Sequence, residues 1–114
     1  MRLERVDEHL KEKLKNPYFK ELHELEEQKL EIVKRIVNYR IKYNLTQEDL
    51  ARKADVSQQH ISKIENGDFS NMMTLEKMLL FIGLTIKFTA VPLGQSAKRI
   101  IARKIHSRRK LQLA

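Results

Sequence analysis

The sequence has 114 residues, no cysteine and a formal net charge of +8, from 23 Lys and Arg against 15 Asp and Glu. This length accommodates one domain with an extension, and the lack of cysteine excludes a disulfide scaffold, a cysteine zinc site and a thiol nucleophile. The four histidines lack the helical i, i+4 spacing of a metal pair, so we expect no metal site. Charged residues interrupt every apolar stretch before the ~18 residues of a membrane span, and no signal-peptide pattern is present. We therefore expect a soluble, cytoplasmic protein.

The positive charge is concentrated near the C-terminus. Residues 1–29 carry 7 basic and 8 acidic side chains, residues 30–91 carry 9 and 7, and residues 92–114 carry 7 and none. A basic tail suits a polyanion such as nucleic acid, but a solubilising segment has the same composition. Charge alone leaves both interpretations open.

Helical periodicity dominates the first part of the sequence, where glycine is absent. Residues 3–14 place apolar side chains at helical spacing, which predicts an amphipathic helix. Asn16 and Pro17 end this helix and begin the next, Asn as its cap and Pro in its first turn. The apolar positions that follow fit one helix over residues 17–43, or two helices that the polar residues 26–29 separate.

The middle of the sequence predicts three short helices. Thr46 and Asp49 resemble a capping box at the start of the first helix, and Ser57 caps the second. Gly67 supplies a left-handed stop at the end of the second helix. Thr74 is the predicted cap of the third.

The first two of these helices have the composition of a helix-turn-helix unit. Small Ala51 permits a close crossing, Val56 fills the angle between the helices, and Ile61 and Ile64 seat the second helix on the first. In such a unit the second helix enters the major groove of DNA. Its outward positions carry hydrogen-bonding side chains, namely Ser57, Gln58, Gln59, Ser62 and Lys63. Because Gln can pair with adenine and Lys with guanine, these residues are predicted to bind DNA.

The segments QEDLA at 47–51 and VSQQHISKIENG at 56–67 resemble the lambda-repressor-like (XRE) family of DNA-binding proteins. The resemblance implies an all-α fold in which residues 29–83 form a five-helix DNA-binding domain. The N-terminal helical extension, residues 1–28, precedes it. Asp55 stands where the family usually has Gly, at a position that requires a left-handed backbone, which Asp adopts at some cost in stability.

Two further roles are implied by this resemblance. Gln47, at the start of its helix, is expected to touch the DNA backbone, because family members commonly use this glutamine so. Arg40 is expected to form an ion pair with Glu65, as the corresponding pair does in some phage repressors of the family. That pair would fix the tilt of the recognition helix.

Residues 84–91 alternate apolar and polar side chains and predict the only strand in the sequence. A lone strand leaves its backbone N–H and C=O groups unpaired, so its partner must come from outside the chain. The simplest partner is the same strand of a second copy, which gives a twofold homodimer that binds a palindromic operator in double-stranded DNA. Alternatively, the strand joins the sheet of another protein.

A narrower resemblance concerns the order of the parts. The segment NPYF at 16–19, the leucines that follow it, NLTQ at 44–47 and the terminal strand are together similar to HigA-type antitoxins. In that family the antitoxin neutralises a HigB-type toxin, a RelE-like ribonuclease that cleaves mRNA, and represses its own operon. The resemblance implies that the N-terminal helices contact the toxin, with Tyr18, Phe19, Leu22 and Leu25 as the candidate residues.

Alternatives remain for the two terminal segments. The apolar stripes of residues 1–28 also fit packing on the chain's own core, in which case the protein is a free-standing transcriptional repressor without a toxin partner. Residues 92–114 predict an amphipathic basic helix, which either reaches flanking DNA phosphates or solubilises the protein. The candidate phosphate contacts in this segment are Arg99, Arg103, Lys104, Arg108, Arg109 and Lys110.

Catalysis is not expected. The sequence has no cysteine, no histidine with a matched carboxylate and no glycine-rich phosphate loop, so it predicts neither an enzyme nor a cofactor. It also lacks the stacking aromatic residues that single-stranded RNA would require.

Overall fold

A computed structural model describes the backbone of residues 2–113 and the side chains of residues 8–107. Within these residues there are six helices and no strand. The helices are α1 (Arg2–Leu14), α2 (Pro17–Lys42), α3 (Gln47–Ala54), α4 (Gln58–Glu65), α5 (Met72–Phe81) and α6 (Gln95–Leu113). The chain divides into two compact units, which we call the terminal unit (Met1–Glu26 with Ala90–Ala114) and the central unit (Glu27–Thr89). None of the described helices is both long enough and apolar enough to cross a bilayer.

The segment for which one helix and two helices were both open forms a single helix, α2. Asn16 Oδ1 accepts a hydrogen bond of 3.0 Å from the Tyr18 N–H, and Pro17 takes the first helical position, as the sequence predicted. The polar residues 26–29 do not interrupt the helix, because Glu, Gln and Lys are strong helix formers that need no burial.

The core of the central unit is formed by the apolar faces of α2, α3, α4 and α5. Its buried members are Ile36, Leu50, Ala51, Ile61, Ile64, Leu75, Met78 and Leu79. The expectation of five helices in residues 29–83 was wrong, because these described residues contain only the C-terminal part of α2 and three short helices. The rest of this range forms the short connections between these helices, in which the left-handed residues Asp55 and Gly67 follow the ends of α3 and α4.

Local capping signals set the helix boundaries. The capping box is confirmed: Asp49 N–H donates to Thr46 Oγ1 and the Thr46 N–H donates to Asp49 Oδ2, each at 3.0 Å. Hydrogen bonds from the backbone and side chain of Thr46 to the Asp49 carboxylate lower the pKa of Asp49. The predicted cap at Thr74 was wrong, because the cap of α5 lies three residues earlier, at Asn71, whose Oδ1 accepts from the Thr74 N–H at 3.1 Å. Asn is among the strongest N-caps, so it takes the role and Thr74 becomes the donor.

The strand predicted over residues 84–91 is not formed within the described part of the chain. Leu84 and Ile86 instead pack against the core of the central unit. The Leu84 N–H donates to the Leu79 carbonyl at 2.8 Å, and the Ile86 N–H donates to Glu76 Oε2 at 3.2 Å. The first half of the alternating segment therefore directs two side chains to the core, whereas Phe88 is 72% exposed. A strand needs a ladder with a second strand, and the described residues of this chain supply none.

Candidate nucleic-acid interface

The turn between α3 and α4 has the left-handed residue that the sequence predicted. Asp55 has φ 57° and ψ 49°, and the Val56 N–H donates to the Ala51 carbonyl at 2.9 Å. Lys77 of α5 steadies this turn, because its Nζ donates to the Asp55 carbonyl at 2.9 Å and lies 3.3 Å from Asp55 Oδ2. Ser57 then caps α4 by accepting from the His60 N–H at 3.2 Å. Lys77 of α5 and the N-cap of α4 thus both stabilise the conformation of the turn.

One face of α4 is fixed to the core. Ile61 is completely buried and Ile64 nearly so. On α3, the equally buried Ala51 offers only a methyl group, and such a small side chain lets two helices cross closely. Because close-packed apolar side chains hold their neighbours in one arrangement, the rotation of α4 about its own axis is determined by this contact.

The opposite face of α4 points to solvent. Ser57, Gln58, Gln59 and Lys63 are exposed, and Ser62 is half-buried. Within the described residues, the side-chain amides of Gln58 and Gln59 make no hydrogen bond with the rest of the chain. These polar groups are therefore available to an external partner.

An ion pair joins Arg40, near the end of α2, to Glu65, at the end of α4. Arg40 Nη2 lies 2.7 Å from Glu65 Oε1, and Arg40 Nε donates to the same oxygen at 2.9 Å. The Arg40 and Glu65 side chains are only 20% and 8% exposed. Arg40 Nη1 also donates to the Leu45 carbonyl at 3.2 Å, in the turn before α3. The pair therefore connects α2 and α4 with the turn that precedes α3.

Gln47 is the third member of this network. Its Nε2 donates to Glu65 Oε2 at 2.6 Å, and its side chain is half-buried at the start of α3. An amide nitrogen carries two hydrogens, so this bond leaves one donor free for another acceptor. Glu65 thus orients Gln47 beside the first turn of α3, where free backbone N–H groups favour an anion.

A small cavity of about 70 Å³ lies between α4 and the start of α5. Its lining residues are His60, Lys63, Ile64, Asp68, Ser70, Asn71 and Thr74. Hydrogen bonds from Ser70 to the Asp68 carboxylate lower the pKa of Asp68, and the positive charge of Lys63 acts in the same direction. The sequence analysis did not single out His60 and Asn71. The i, i+3 spacing of His60 and Lys63 would have placed them on one side of α4.

The candidate toxin-binding residues lie elsewhere, in the terminal unit. Tyr18 and Phe19 are half-buried there, whereas Leu22 and Leu25 are exposed. The structure thus brings together the predicted DNA-binding residues and the ion pair in the central unit.

Comparison with known proteins identifies the region that carries this geometry. Residues 36–88 match the family described as helix-turn-helix. An HTH-type transcriptional regulator of Methanocaldococcus jannaschii is 46% identical to this chain over 50 residues, which are 43% of this chain and 76% of that protein. No solved structure matches the chain.

Proposed function

Because this chain belongs to the helix-turn-helix family, we propose that it is a transcriptional regulator that binds a specific sequence of double-stranded DNA. In this proposal α4 enters the major groove, and Gln58, Gln59 and Lys63 contact base edges. The observation that carries it is the division of α4 into a fully buried apolar face and an exposed polar face whose amides are unengaged within the described residues.

Contacts with the DNA backbone are proposed for three further side chains. Gln47 would donate its second amide hydrogen to a phosphate, with Glu65 holding it in place. Ser57 and Ser62, at the edges of the exposed face, would donate their hydroxyl groups to neighbouring phosphates. Such contacts position the protein but do not read sequence.

We further propose that the protein acts as a homodimer through residues 84–91. Successive N–H groups of an extended segment point to opposite edges. The N–H groups of Leu84 and Ile86 donate to α5, whereas those of Thr85 and Lys87 make no hydrogen bond within the described residues. Glu76 steadies this arrangement, because it also accepts a hydrogen bond of 2.8 Å from Thr85 Oγ1. These N–H groups are therefore available to pair with the same segment of a second copy of the chain.

Selection of binding sites from random duplexes tests both proposals. The full-length chain should select a twofold-symmetric site whose half-sites lie ~34–36 Å apart, or a multiple of this. Gln59→Ala should lose about 1–3 kcal/mol of preference at one base pair in each half-site. Gln28→Ala, on an exposed position of α2, is the matched control and should select the wild-type site. An unchanged profile for Gln59→Ala would contradict base reading by Gln59, and an asymmetric single site would contradict the dimer.

The resemblance to HigA-type antitoxins supports a more specific proposal, in which the protein binds and neutralises a RelE-like ribonuclease. In the terminal unit, Tyr18, Phe19 and Leu22 line a cavity of about 480 Å³ between α1, α2 and α6. Leu22 and Leu25 are 44% and 52% exposed, and DNA binding by α4 gives them no role. An exposed apolar surface of this kind is typical of a protein-binding site.

Affinity purification from the native host tests the antitoxin proposal. The wild-type chain should retain a RelE-like ribonuclease and inhibit its cleavage of mRNA, and a Leu22→Lys/Leu25→Lys double variant should do neither. Leu30→Lys, on the same helix and 46% exposed, is the matched control and should behave as the wild type. Retention by the double variant would remove the proposed contact. Absence of any such ribonuclease from the wild-type sample would favour the free-standing repressor.

A further inference from the structure

The positive charge of the protein rests almost entirely on α6. Gln95–Leu113 contains seven basic residues and no acidic residue. By contrast, residues 1–26 carry six basic and seven acidic side chains, and residues 27–89 carry ten and eight. The function proposed for α4 does not use this charge.

Three of the four described cations of α6 share one face, and the fourth, Lys104, lies on the other side of the helix. Lys98, Arg99 and Arg103 are exposed, and because successive residues of an α-helix are rotated by about 100°, the three lie within an arc of about 140°. Ala97 and Ile101, on the opposite side, are half-buried in the terminal unit. Within the described residues, none of the three cations forms an ion pair. The face is therefore positively charged and accessible.

We propose that this face of α6, defined by Lys98, Arg99 and Arg103, is a second DNA-binding site that contacts the phosphate backbone of duplex DNA regardless of sequence. Lys98 and Arg103 are separated by about 7.5 Å along the helix axis, which is about two phosphate steps along one DNA strand. The planar guanidinium groups of two of the three residues match phosphate oxygens in a bidentate manner.

Duplex DNA fits this face better than other polyanionic partners. Residues 95–113 contain no Phe, Tyr or Trp, which are the main stacking groups for single-stranded nucleic acid and the usual aromatic anchors at membrane interfaces. Ile100 and Ile105 are nevertheless exposed on α6, which makes an anionic membrane surface the competitor that the test must include.

The salt dependence of binding to a duplex without the selected site tests the proposal. Each lost phosphate contact lowers the slope of log K against log salt by about 0.9. A Lys98→Gln/Arg99→Gln/Arg103→Gln variant of the full chain should therefore reduce the slope by about 2–3, as measured by fluorescence anisotropy. Gln retains helix propensity, so circular dichroism should be unchanged.

A matched control distinguishes phosphate contacts made by α6 from a general effect of lowering the net charge of the protein. Lys11→Gln/Lys15→Gln/Lys20→Gln removes the same charge from exposed positions of the terminal unit and should leave the slope nearly unchanged. Arg99→Lys/Arg103→Lys keeps the charge and should also keep the slope.

Equal losses in both triple variants, or no loss in the α6 variant, would overturn the proposal. Loss of binding to phosphatidylserine vesicles with an unchanged DNA slope would overturn it in favour of a membrane. The base preferences selected by α4 should survive the α6 substitutions, so failure here is distinct from failure of the proposed base reading.

Discussion

Glu65→Ala is expected to lower the free energy of unfolding by about 3 kcal/mol, because it leaves the guanidinium of Arg40 without its partner in a poorly hydrated position. The substitution also removes the acceptor of the Gln47 amide. We place the effect at the lower end of the range for buried pairs, since Arg40 is 20% exposed and water can relieve part of the cost. Urea unfolding monitored by far-UV circular dichroism measures the change.

Two controls isolate the network from the loss of one surface charge. Glu31→Ala removes a carboxylate that is 68% exposed and pairs with Lys34 at 3.5 Å, so it should cost no more than about 0.5 kcal/mol. Replacing Arg40 and Glu65 together by Met and Leu should cost less than Glu65→Ala alone, because no unpaired charge remains. Equal effects of Glu65→Ala and Glu31→Ala would show that the ion pair does not stabilise the fold.

Ile61→Ala is the second substitution with a large expected effect. Ile61 is completely buried on the inner face of α4, and truncation of such a side chain costs about 2–5 kcal/mol from lost burial and the cavity left behind. Because Ile61 packs α4 against the core and thereby fixes its orientation, the affinity for DNA should also fall, even at temperatures where the chain remains folded. Urea unfolding and anisotropy with the selected duplex measure the two effects.

Ile41→Ala provides the comparison for this experiment. Ile41 is 70% exposed near the end of α2, so the same truncation should change stability by no more than about 0.5 kcal/mol and leave DNA binding intact. A similar loss of stability in both variants would mean that packing of Ile61 against the core stabilises the fold no more than the exposed Ile41 does.

Local signals in the sequence were sufficient to predict the helix-turn-helix unit. The capping box at Thr46 and the stop at Gly67 each depend on residues within one turn of each other, whereas the left-handed backbone of Asp55 was implied by the family resemblance. Gly67 has φ +87°, which an L side chain rarely adopts. The apolar spacing of Ile61 and Ile64 similarly determined which face of α4 would be buried.

Features that depend on distant residues could not be predicted in this way. The bond from Gln47 to Glu65 joins residues 18 positions apart, and no periodicity relates them. Residues 84–91 do not form the strand that their alternation predicted, because alternation is equally satisfied by a segment that packs Leu84 and Ile86 on the core. Helix propensity likewise could not decide between one helix and two over residues 17–43, since a polar stretch neither requires nor forbids a break in a helix.

Base reading by the exposed face of α4 is the central claim, and its most direct test is a nuclear magnetic resonance titration of the ¹⁵N-labelled chain with the selected duplex. The side-chain amide signals of Gln58 and Gln59 should shift on binding, and that of Gln28 should not. A tight complex in which the Gln58 and Gln59 amides remain at their free positions, with the shifts confined to other parts of the chain, would contradict the account.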